Sequence, residues 1–227
     1  MINQNPTEDI LKLIEIMATL RSPGGCPWDK EQTPDTLKPY VLEEAYELLE
    51  AIDNGNTAEI CDELGDLLLQ VVFIAQIFSE QNKFGLAEVA QSICNKLIRR
   101  HPHVFAEANV NQHAQRWEEI KLQERSDRGK GNKLADRIPT NLPALKIATK
   151  VAKNITTKNP TTQITNLQHN FLRLSQIIAE PTATQNQFES SLGEIFFNTV
   201  QLSNSLKIDA EDILRKKTMQ VMLNFDR

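Results

Sequence analysis

The short break "NGN" at residues 54–56 constrains this chain more than any other feature, because it separates two long stretches of helical periodicity. Before the break, the spacing of apolar residues predicts a helix from about Thr36 to Asp53. After it, a helix capped by Thr57 is predicted to run to about Asn82. Gly55 suits the left-handed conformation that ends many helices. A break this short predicts that the two helices form an antiparallel hairpin.

The rest of the chain is also predicted to be helical. Thr7 is suited to cap a first helix, and a further helix is expected from about residue 86 to residue 100, where Pro102 stops it. The segment "QHAQRWEEIKLQERSD" gives one more helix, and "RSPGGCPWDKEQTP" is expected to be an ordered loop. No segment carries a strand pattern of any strength, and glycine is scarce. The predicted fold class is therefore all-α.

Four acidic residues of the hairpin are spaced to meet on one patch. In an antiparallel hairpin that turns near Gly55, facing residues have numbers that add to about 110. This places Glu47 opposite Glu63 and Glu44 opposite Asp66. The pattern is E-x-x-E on the first helix and E-x-x-D on the second, and residues three positions apart lie on the same helix face.

The spacing alone leaves two interpretations of these acids open. A single E-x-x-E motif is typical of a solvated helix face. The matched E-x-x-D, however, lies on an otherwise apolar helix, so Asp66 is expected in an apolar setting where an unpartnered carboxylate is costly. A set of oxygen ligands without His or Cys favours a hard divalent cation such as Mg²⁺ over zinc.

Composition argues against several functional classes. The formal net charge of −5 and the lack of a basic face disfavour a nucleic-acid-binding protein. Three widely spaced cysteines, Cys26, Cys61 and Cys94, suggest neither a disulfide framework nor a thiolate zinc site. The first residues lack the pattern of a signal peptide, and no apolar run reaches membrane-spanning length. We therefore expect a cytoplasmic protein with no membrane partner.

Five blocks of the sequence stand in a recognisable order: "GGCPWDKEQT", "EEAYELLEAI", "DELGDLLLQVVFIAQ", "KLIRRHPHVF" and "RWEEIK". In this order they resemble the MazG family of nucleoside triphosphate pyrophosphohydrolases. The resemblance covers roughly residues 7–125 closely and continues through "IPTNLPAL" at 138–145. It implies helical-bundle domains that are completed by homodimerisation, and the hydrolysis of nucleoside triphosphates to monophosphates and pyrophosphate.

The resemblance also implies roles for individual residues. The E-x-x-E and E-x-x-D motifs match the family's metal signature, which gives four catalytic carboxylates that would hold Mg²⁺, or Mn²⁺ as its substitute: Glu44, Glu47, Glu63 and Asp66. Lys96 and Arg100 in "KLIRR" resemble the phosphate-binding bases. Trp117 in "RWEEIK" resembles an aromatic residue near the nucleotide.

Structural interpretations stand beside these roles. Lys96 and Arg100 lie near the end of a predicted helix, where cations are favoured by the helix dipole in any protein. Pro102 interrupts the helix between His101 and His103, so these imidazoles are expected to form a helix terminus rather than a metal site. Trp28 is expected to pack in the core or in a dimer interface before it stacks on a base.

The second part of the chain resembles the first with its ligands lost. Residues 126–143 are charged and rich in Gly and Pro, and predict a linker between a catalytic domain at 1–125 and a second domain at 144–227. "SLGEIFFNTVQL" aligns with "ELGDLLLQVVFI" and places Ser191 at the position of Glu63.

Other positions of the second copy show the same loss. Asn170 and Arg173 align with the two acids of the E-x-x-E motif, and Gln220 and Asn224 align with the two bases. Because ligands and bases are lost together, we expect a degenerate domain that is structural.

Two alternative functions remain at this point. The narrower enzymatic alternative is a pyrophosphatase specific for dUTP or another deoxynucleotide, since it needs the same carboxylates. The other is a regulatory or scaffold protein that binds a nucleotide without turnover, which the degenerate second copy favours and the intact first copy opposes.

Overall fold

The computed structural model describes residues 5–105, 133–155 and 159–225, together with residues 119–120, 122–124, 126–127, 129 and 131. The chain divides into two compact units, residues 1–117 and 118–227, which we call the first unit and the second unit. The described residues form helices and no strand, which confirms the predicted all-α class. In this part of the chain, none of the helices combines the length and apolarity that a membrane span requires.

The described part of the first unit contains six helices. They are α1 (Pro6–Arg21), α2 (Pro27–Glu31), α3 (Pro34–Asn54), α4 (Thr57–Glu80), α5 (Leu86–Arg100) and α6 (Pro102–Phe105). The helices α3 and α4 pack along each other as the predicted hairpin, and α1 and α5 both pack on α4. The segment expected to be a loop before the hairpin contains the short helix α2.

Gly55 makes the tight turn of the hairpin possible. Its φ of 70° lies in the left-handed region, which costs glycine little because it has no Cβ atom. Its N–H donates to the carbonyls of Ala51 and Ile52 at 3.1 and 3.2 Å, so it closes the last turn of α3. The turn therefore has the conformation that the sequence predicts.

The caps at two helix starts differ from those predicted. Asn56, rather than Thr57, caps α4, since its side chain accepts the backbone N–H two residues later at 3.1 Å. In the same way Asn5, rather than Thr7, caps α1. Both predictions were wrong by one or two positions, because a neighbouring Asn competes with Thr for the same role and caps at least as well.

The core of the first unit lies where α1 packs on the half of α4 that is remote from the turn. Its buried side chains are Met17, Leu37, Val72, Phe73 and Ile77. Residues 57–69 of α4, in the half next to the turn, include no buried side chain. The two halves of the hairpin therefore differ: one half forms the core, and the other carries acidic groups at a partly exposed surface.

Arg21 fixes α1 and α2 to the far end of α4. Its guanidinium makes two hydrogen bonds of 2.8 Å to the carboxylate of Glu80 and lies 5.5 Å from the ring centre of Phe73. It also donates to the backbone carbonyls of Asp29 and Gln32. The Arg21 side chain is only 7% exposed, so these contacts neutralise a charge that is almost fully removed from solvent.

The Arg21–Glu80 pair predicts how stability depends on pH. Hydrogen bonding to Arg21 lowers the pKa of Glu80 from its ordinary value of 4.5. The ionised carboxylate therefore stabilises the fold fully above that value, and this contribution is lost as the pH falls through the lower pKa of the folded state. We expect the melting temperature of wild-type protein to exceed that of Glu80→Gln above about pH 5, and the difference to shrink in acid.

Melting curves at a series of pH values test this expectation. Glu15→Gln, on the exposed surface of α1, makes the same change of charge and should follow wild type at every pH. A difference between Glu80→Gln and wild type that does not depend on pH would contradict the assignment.

The described part of the second unit has a similar order of helices. They are α7 (Leu134–Arg137), α8 (Ala144–Ile155), α9 (Pro160–Ala179), α10 (Gln185–Ser205) and α11 (Ala210–Phe225). The helices α9 and α10 form a hairpin, and α8 and α11 pack on α10 around a core of small side chains with Val200. The helix α7 lies inside the segment expected to be a linker, so that segment contains local structure.

The two hairpins share a landmark on each of their helices. The helices α3 and α9 each start with a capping side chain followed by proline, at Thr33–Pro34 and at Asn159–Pro160. The helices α4 and α10 each bury an amide side chain and, two residues later, a valine. When the helices are aligned on these landmarks, the following positions correspond, as in the sequence alignment: Glu44 and Asn170, Glu47 and Arg173, Glu63 and Ser191, Asp66 and Glu194.

Candidate metal centre

Three of the four expected carboxylates converge in the first unit. Carboxylate oxygens of Glu44, Glu63 and Asp66 all lie within 4.8 Å of one another. Glu44 belongs to α3 and the other two to α4, so the hairpin alone assembles the group. A hard divalent cation lies about 2.0–2.6 Å from its oxygen ligands. Oxygens this far apart can therefore share one cation between them.

Glu47 lies beside this group rather than within it. Its side chain is exposed, and its charge is the strongest of the neighbouring charges that act on Glu63. Similarly, the strongest neighbouring charge at Glu44 is that of Asp66. These neighbours are the facing pairs that the hairpin register predicts. The structure thus brings three of the predicted ligands together and leaves the fourth next to them.

The convergence of negative charge changes the acidity of two of the groups. Burial, followed by the charge of Asp66, raises the pKa of Glu44. Burial, followed by the charge of Glu47, raises the pKa of Glu63. No cationic side chain pairs with this group among the described residues, so that part of the chain leaves the mutual repulsion of the carboxylates without a neutralising charge.

Glu63 gives the clearest sign that a ligand belongs here. Its Oε2 atom is inaccessible to solvent and has no hydrogen-bond partner among the described residues. A buried carboxylate oxygen without a partner is costly, because its hydration is lost and nothing replaces it. A divalent cation with oxygen ligands would supply the missing partner. The residues present therefore fit a hard cation such as Mg²⁺.

The expected apolar setting of Asp66 was wrong. The Asp66 side chain is exposed, and Leu64 is 52% exposed. The periodicity of α4 identifies its apolar face but does not show which helices cover that face. Here α1 covers the far half of α4, and the half that carries Asp66 remains partly open within one chain. The argument for a cation consequently rests on Glu63, whose oxygen is buried.

Lys96 and Arg100 lie on α5, and both are half-buried. Lys96 lines an open cleft of about 390 Å³ together with Phe84, Glu88 and Ile93. None of the four carboxylates lines this cleft. The structure thus places Lys96 one helix away from the acidic group. The sequence did not single out Phe84 or Ile93, because exposed apolar residues at helical spacing are typical of an ordinary packing face.

Two further described residues, His101 and Trp28, bear on the sequence predictions. His101 ends α5, and its Nδ1 lies 2.7 Å from the carbonyl oxygen of Leu97, in keeping with a role at a helix terminus. Trp28 is 50% exposed, although its ring packs edge-on against Phe73 at 6.5 Å. Trp117 lies outside the described residues.

Comparison with known proteins identifies the family to which this chain belongs. Residues 32–105 match the MazG nucleotide pyrophosphohydrolase domain. Over 221 residues the chain is 38% identical to the nucleoside triphosphate pyrophosphohydrolase/pyrophosphatase MazG of Thermotoga maritima. This alignment covers 95% of this chain and 84% of the relative. The chain belongs to the MazG family. It is also 39% identical over 216 residues to the nucleoside triphosphate pyrophosphohydrolase of Escherichia coli K12, which covers 90% of this chain and 81% of the relative.

The extent of these matches bears on both units. The MazG domain match contains the four carboxylates of the hairpin and both bases of α5, whereas Trp117 lies beyond it. The alignments with these two relatives also extend well into the second unit, since they cover at least 90% of the chain. Similarity to the MazG family is therefore not confined to the part that carries the acidic group.

Proposed function

We propose that this protein hydrolyses nucleoside triphosphates to nucleoside monophosphates and pyrophosphate in an Mg²⁺-dependent reaction at the hairpin of the first unit. The observation that carries the proposal is the convergence of Glu44, Glu63 and Asp66, together with the buried, unpartnered Oε2 atom of Glu63. The relatives that are named nucleoside triphosphate pyrophosphohydrolases support this choice of reaction. Control of the nucleotide pool is the cellular role in keeping with it.

The chemistry follows from the charges on the hairpin. When bound, Mg²⁺ neutralises charge on the triphosphate and polarises its phosphoryl oxygens. Glu44, Glu63 and Asp66 hold the cation, and without it their negative charge repels the substrate. Lys96 and Arg100 donate hydrogen bonds to phosphate oxygens. Trp117 is assigned to the nucleotide by resemblance.

The bond changes define the reaction as attack at the α-phosphorus. A water oxygen forms a bond to the α-phosphorus. The bond between the α-phosphorus and the oxygen that bridges it to the β-phosphorus breaks. The electron pair of the broken bond leaves with pyrophosphate, and a proton of the water passes to a carboxylate. We assign the role of proton acceptor to Glu47, because its exposed side chain lies beside the three converging carboxylates and is not one of them.

We assign different roles to the two parts of the chain. Residues 1–125 form the catalytic domain, residues 126–143 connect it to the rest, and residues 144–227 form a second MazG-like domain that has lost the metal ligands. The equivalent positions in the second unit support this assignment, since only Glu194 keeps an acidic side chain there. In this chain, all hydrolysis is thus expected to depend on the first unit.

We infer that the active form is a homodimer. The hairpin of the first unit exposes several large apolar side chains, which one chain leaves uncovered: Leu42, Tyr46, Leu49, Ile52, Leu64 and Val71. An exposed apolar surface of this kind is typical of a protein interface. A second hairpin packed there would complete a four-helix bundle around the acidic groups. The three cysteines are free, in keeping with a reducing cytoplasm.

Product identity tests the proposed reaction. Purified protein is incubated with Mg²⁺ and a panel of ribo- and deoxynucleoside triphosphates, and pyrophosphate is resolved from orthophosphate. Pyrophosphate with monophosphate is expected. A preference for dUTP or another deoxynucleotide would select the narrower enzyme. Folded protein that binds nucleotides but releases neither product would contradict the proposal and favour the regulatory alternative.

Addition of metal should stabilise the first unit. A ligand that binds only the folded state at a hundred times its Kd stabilises it by about 2.7 kcal/mol. We therefore expect Mg²⁺ to raise the melting temperature of metal-free wild-type protein, and to have little effect on Glu63→Gln. Differential scanning calorimetry with a matched addition of NaCl separates specific binding from ionic strength. An equal increase in both proteins would show that the cation binds elsewhere.

A further inference from the structure

The position of Glu63 in the first unit is occupied in the second unit by a neutral hydroxyl side chain. Ser191 is equivalent to Glu63 and is only 3% exposed. Its Oγ atom is inaccessible to solvent and has no hydrogen-bond partner among the described residues. Both units therefore bury an unsatisfied polar atom at the same place in the hairpin. A buried polar atom without a partner is costly, and at these equivalent positions of the two hairpins the described residues supply none.

At the four equivalent positions of the second unit, three side chains can donate hydrogen bonds, and the fourth, Glu194, keeps a carboxylate. In the first unit the group consists of carboxylates, which accept hydrogen bonds and hold cations. In the second unit Arg173 occupies the position of Glu47, and Asn170 occupies that of Glu44. Guanidinium, amide N–H and hydroxyl groups are donors suited to an anion. Arg173 makes no ion pair with another residue of the described part of the chain.

The net charge of the whole second unit also favours an anion over a cation. Residues 118–227 contain 16 Lys and Arg against 12 Asp and Glu, whereas residues 1–117 contain 9 against 18. At the four equivalent hairpin positions the formal charge is zero in the second unit and −4 in the first. A phosphate-bearing anion is thus repelled by the first hairpin unless a cation is bound, and meets no such barrier at the second.

We propose that the α9–α10 hairpin of the second unit binds a phosphate-type anion without a metal ion, through Arg173, Ser191 and Asn170. The second domain is then a binding domain rather than packing material alone. The phosphate comes either from an inorganic anion or from a nucleotide. This site does not depend on the hydrolytic activity of the first unit, so it can be tested whether or not that activity is found.

Calorimetric titration of the 227-residue chain in EDTA tests the proposal. Removal of divalent cations leaves the first hairpin repulsive, and the Arg173→Gln variant then shows whether the remaining anion binding belongs to the second unit or to Lys96 and Arg100 of the first. Inorganic pyrophosphate is the first probe, and orthophosphate, a nucleoside monophosphate and a nucleoside triphosphate follow in separate titrations. We expect one anion per chain. Tighter binding of pyrophosphate than of the nucleotides would identify the inorganic source, and the reverse order would identify the nucleotide.

Matched variants connect the binding to the named residues. Arg173→Gln should weaken anion binding about tenfold or more, since a hydrogen bond to a charged group is lost. The control is Lys150→Gln, which removes an exposed positive charge of the same unit. Lys150 follows Thr149, whose carbonyl accepts a hydrogen bond from Asn204. Asn204 lies about 20 Å along α10 from Ser191, so this variant should bind as wild type does.

A second variant protects the test from effects on folding. Ser191→Ala removes only the buried hydroxyl, and should weaken binding while the melting temperature of the free protein stays level or rises. Wild-type protein that binds none of the anions at millimolar concentration would overturn the proposal. Equal affinities for wild type and Arg173→Gln would also overturn it.

Discussion

Glu63→Gln is expected to reduce nucleoside triphosphate hydrolysis by at least about 100-fold. The change keeps the size of the side chain but removes the charge at the oxygen that is buried without a partner. Stabilisation by a bound metal ion contributes several kcal/mol to such a transition state, and each 1.36 kcal/mol corresponds to a factor of ten in rate. Initial rates of pyrophosphate release at saturating Mg²⁺ measure the loss.

The neighbouring residues supply the controls for this variant. Asp62→Asn removes an exposed charge next to Glu63 on the same helix and should retain activity close to wild type. Glu47→Gln should lower kcat while Mg²⁺ still stabilises the protein, because Glu47 lies outside the group of three. If Asp62→Asn and Glu63→Gln lost activity equally, general electrostatics rather than metal binding would account for the effect.

Arg21→Ala is expected to destabilise the first unit by about 3 kcal/mol, the lower end of the range for breaking a buried ion pair. The variant removes two hydrogen bonds to Glu80, the donors to two backbone carbonyls, and the packing of the guanidinium over Phe73. For a unit of this size the melting temperature should fall by roughly 10 °C or more. Chemical denaturation measures the change in the free energy of unfolding.

An exposed ion pair provides the comparison. Lys38 pairs with Asp35 in the first turn of α3, and their side chains are 74% and 83% exposed. Exposed pairs contribute little to stability, so Lys38→Ala should leave the unfolding midpoint nearly unchanged. Arg21→Lys adds a further test, since a lysine keeps the charge but cannot make the paired hydrogen bonds of a guanidinium. A full recovery of stability in Arg21→Lys would contradict the importance of that geometry.

The hairpin and the register of its acids could be predicted because both depend on local sequence. Helical periodicity, the short turn and the left-handed Gly55 determine which residues face each other, and Glu44 and Asp66 are neighbours as expected. The caps were misplaced only because Asn and Thr compete at adjacent positions. Local rules of this kind do not require knowledge of any other part of the chain.

What the sequence could not predict depends on contacts between distant segments. The Arg21–Glu80 pair joins residues 59 positions apart, and no local pattern indicates that these two side chains meet. The exposure of Asp66 has the same origin, because periodicity does not reveal that α1 covers only the far half of α4. The sequence also could not predict that the Ser191 hydroxyl is buried without a hydrogen-bond partner, because that depends on which side chains pack around it.

The close spacing of the acids along the chain has a consequence for how the molecule forms. All four lie between residues 44 and 66, within a hairpin whose contacts span short distances in sequence. Contacts of this kind form early, because little chain entropy is lost in closing a short loop. The contact of α1 with the end of α4 must close a much longer loop and forms later. During synthesis, the acidic group is therefore assembled soon after the hairpin emerges, so that the proposed metal ion would meet its ligands before the rest of the unit has folded and before any substrate is present.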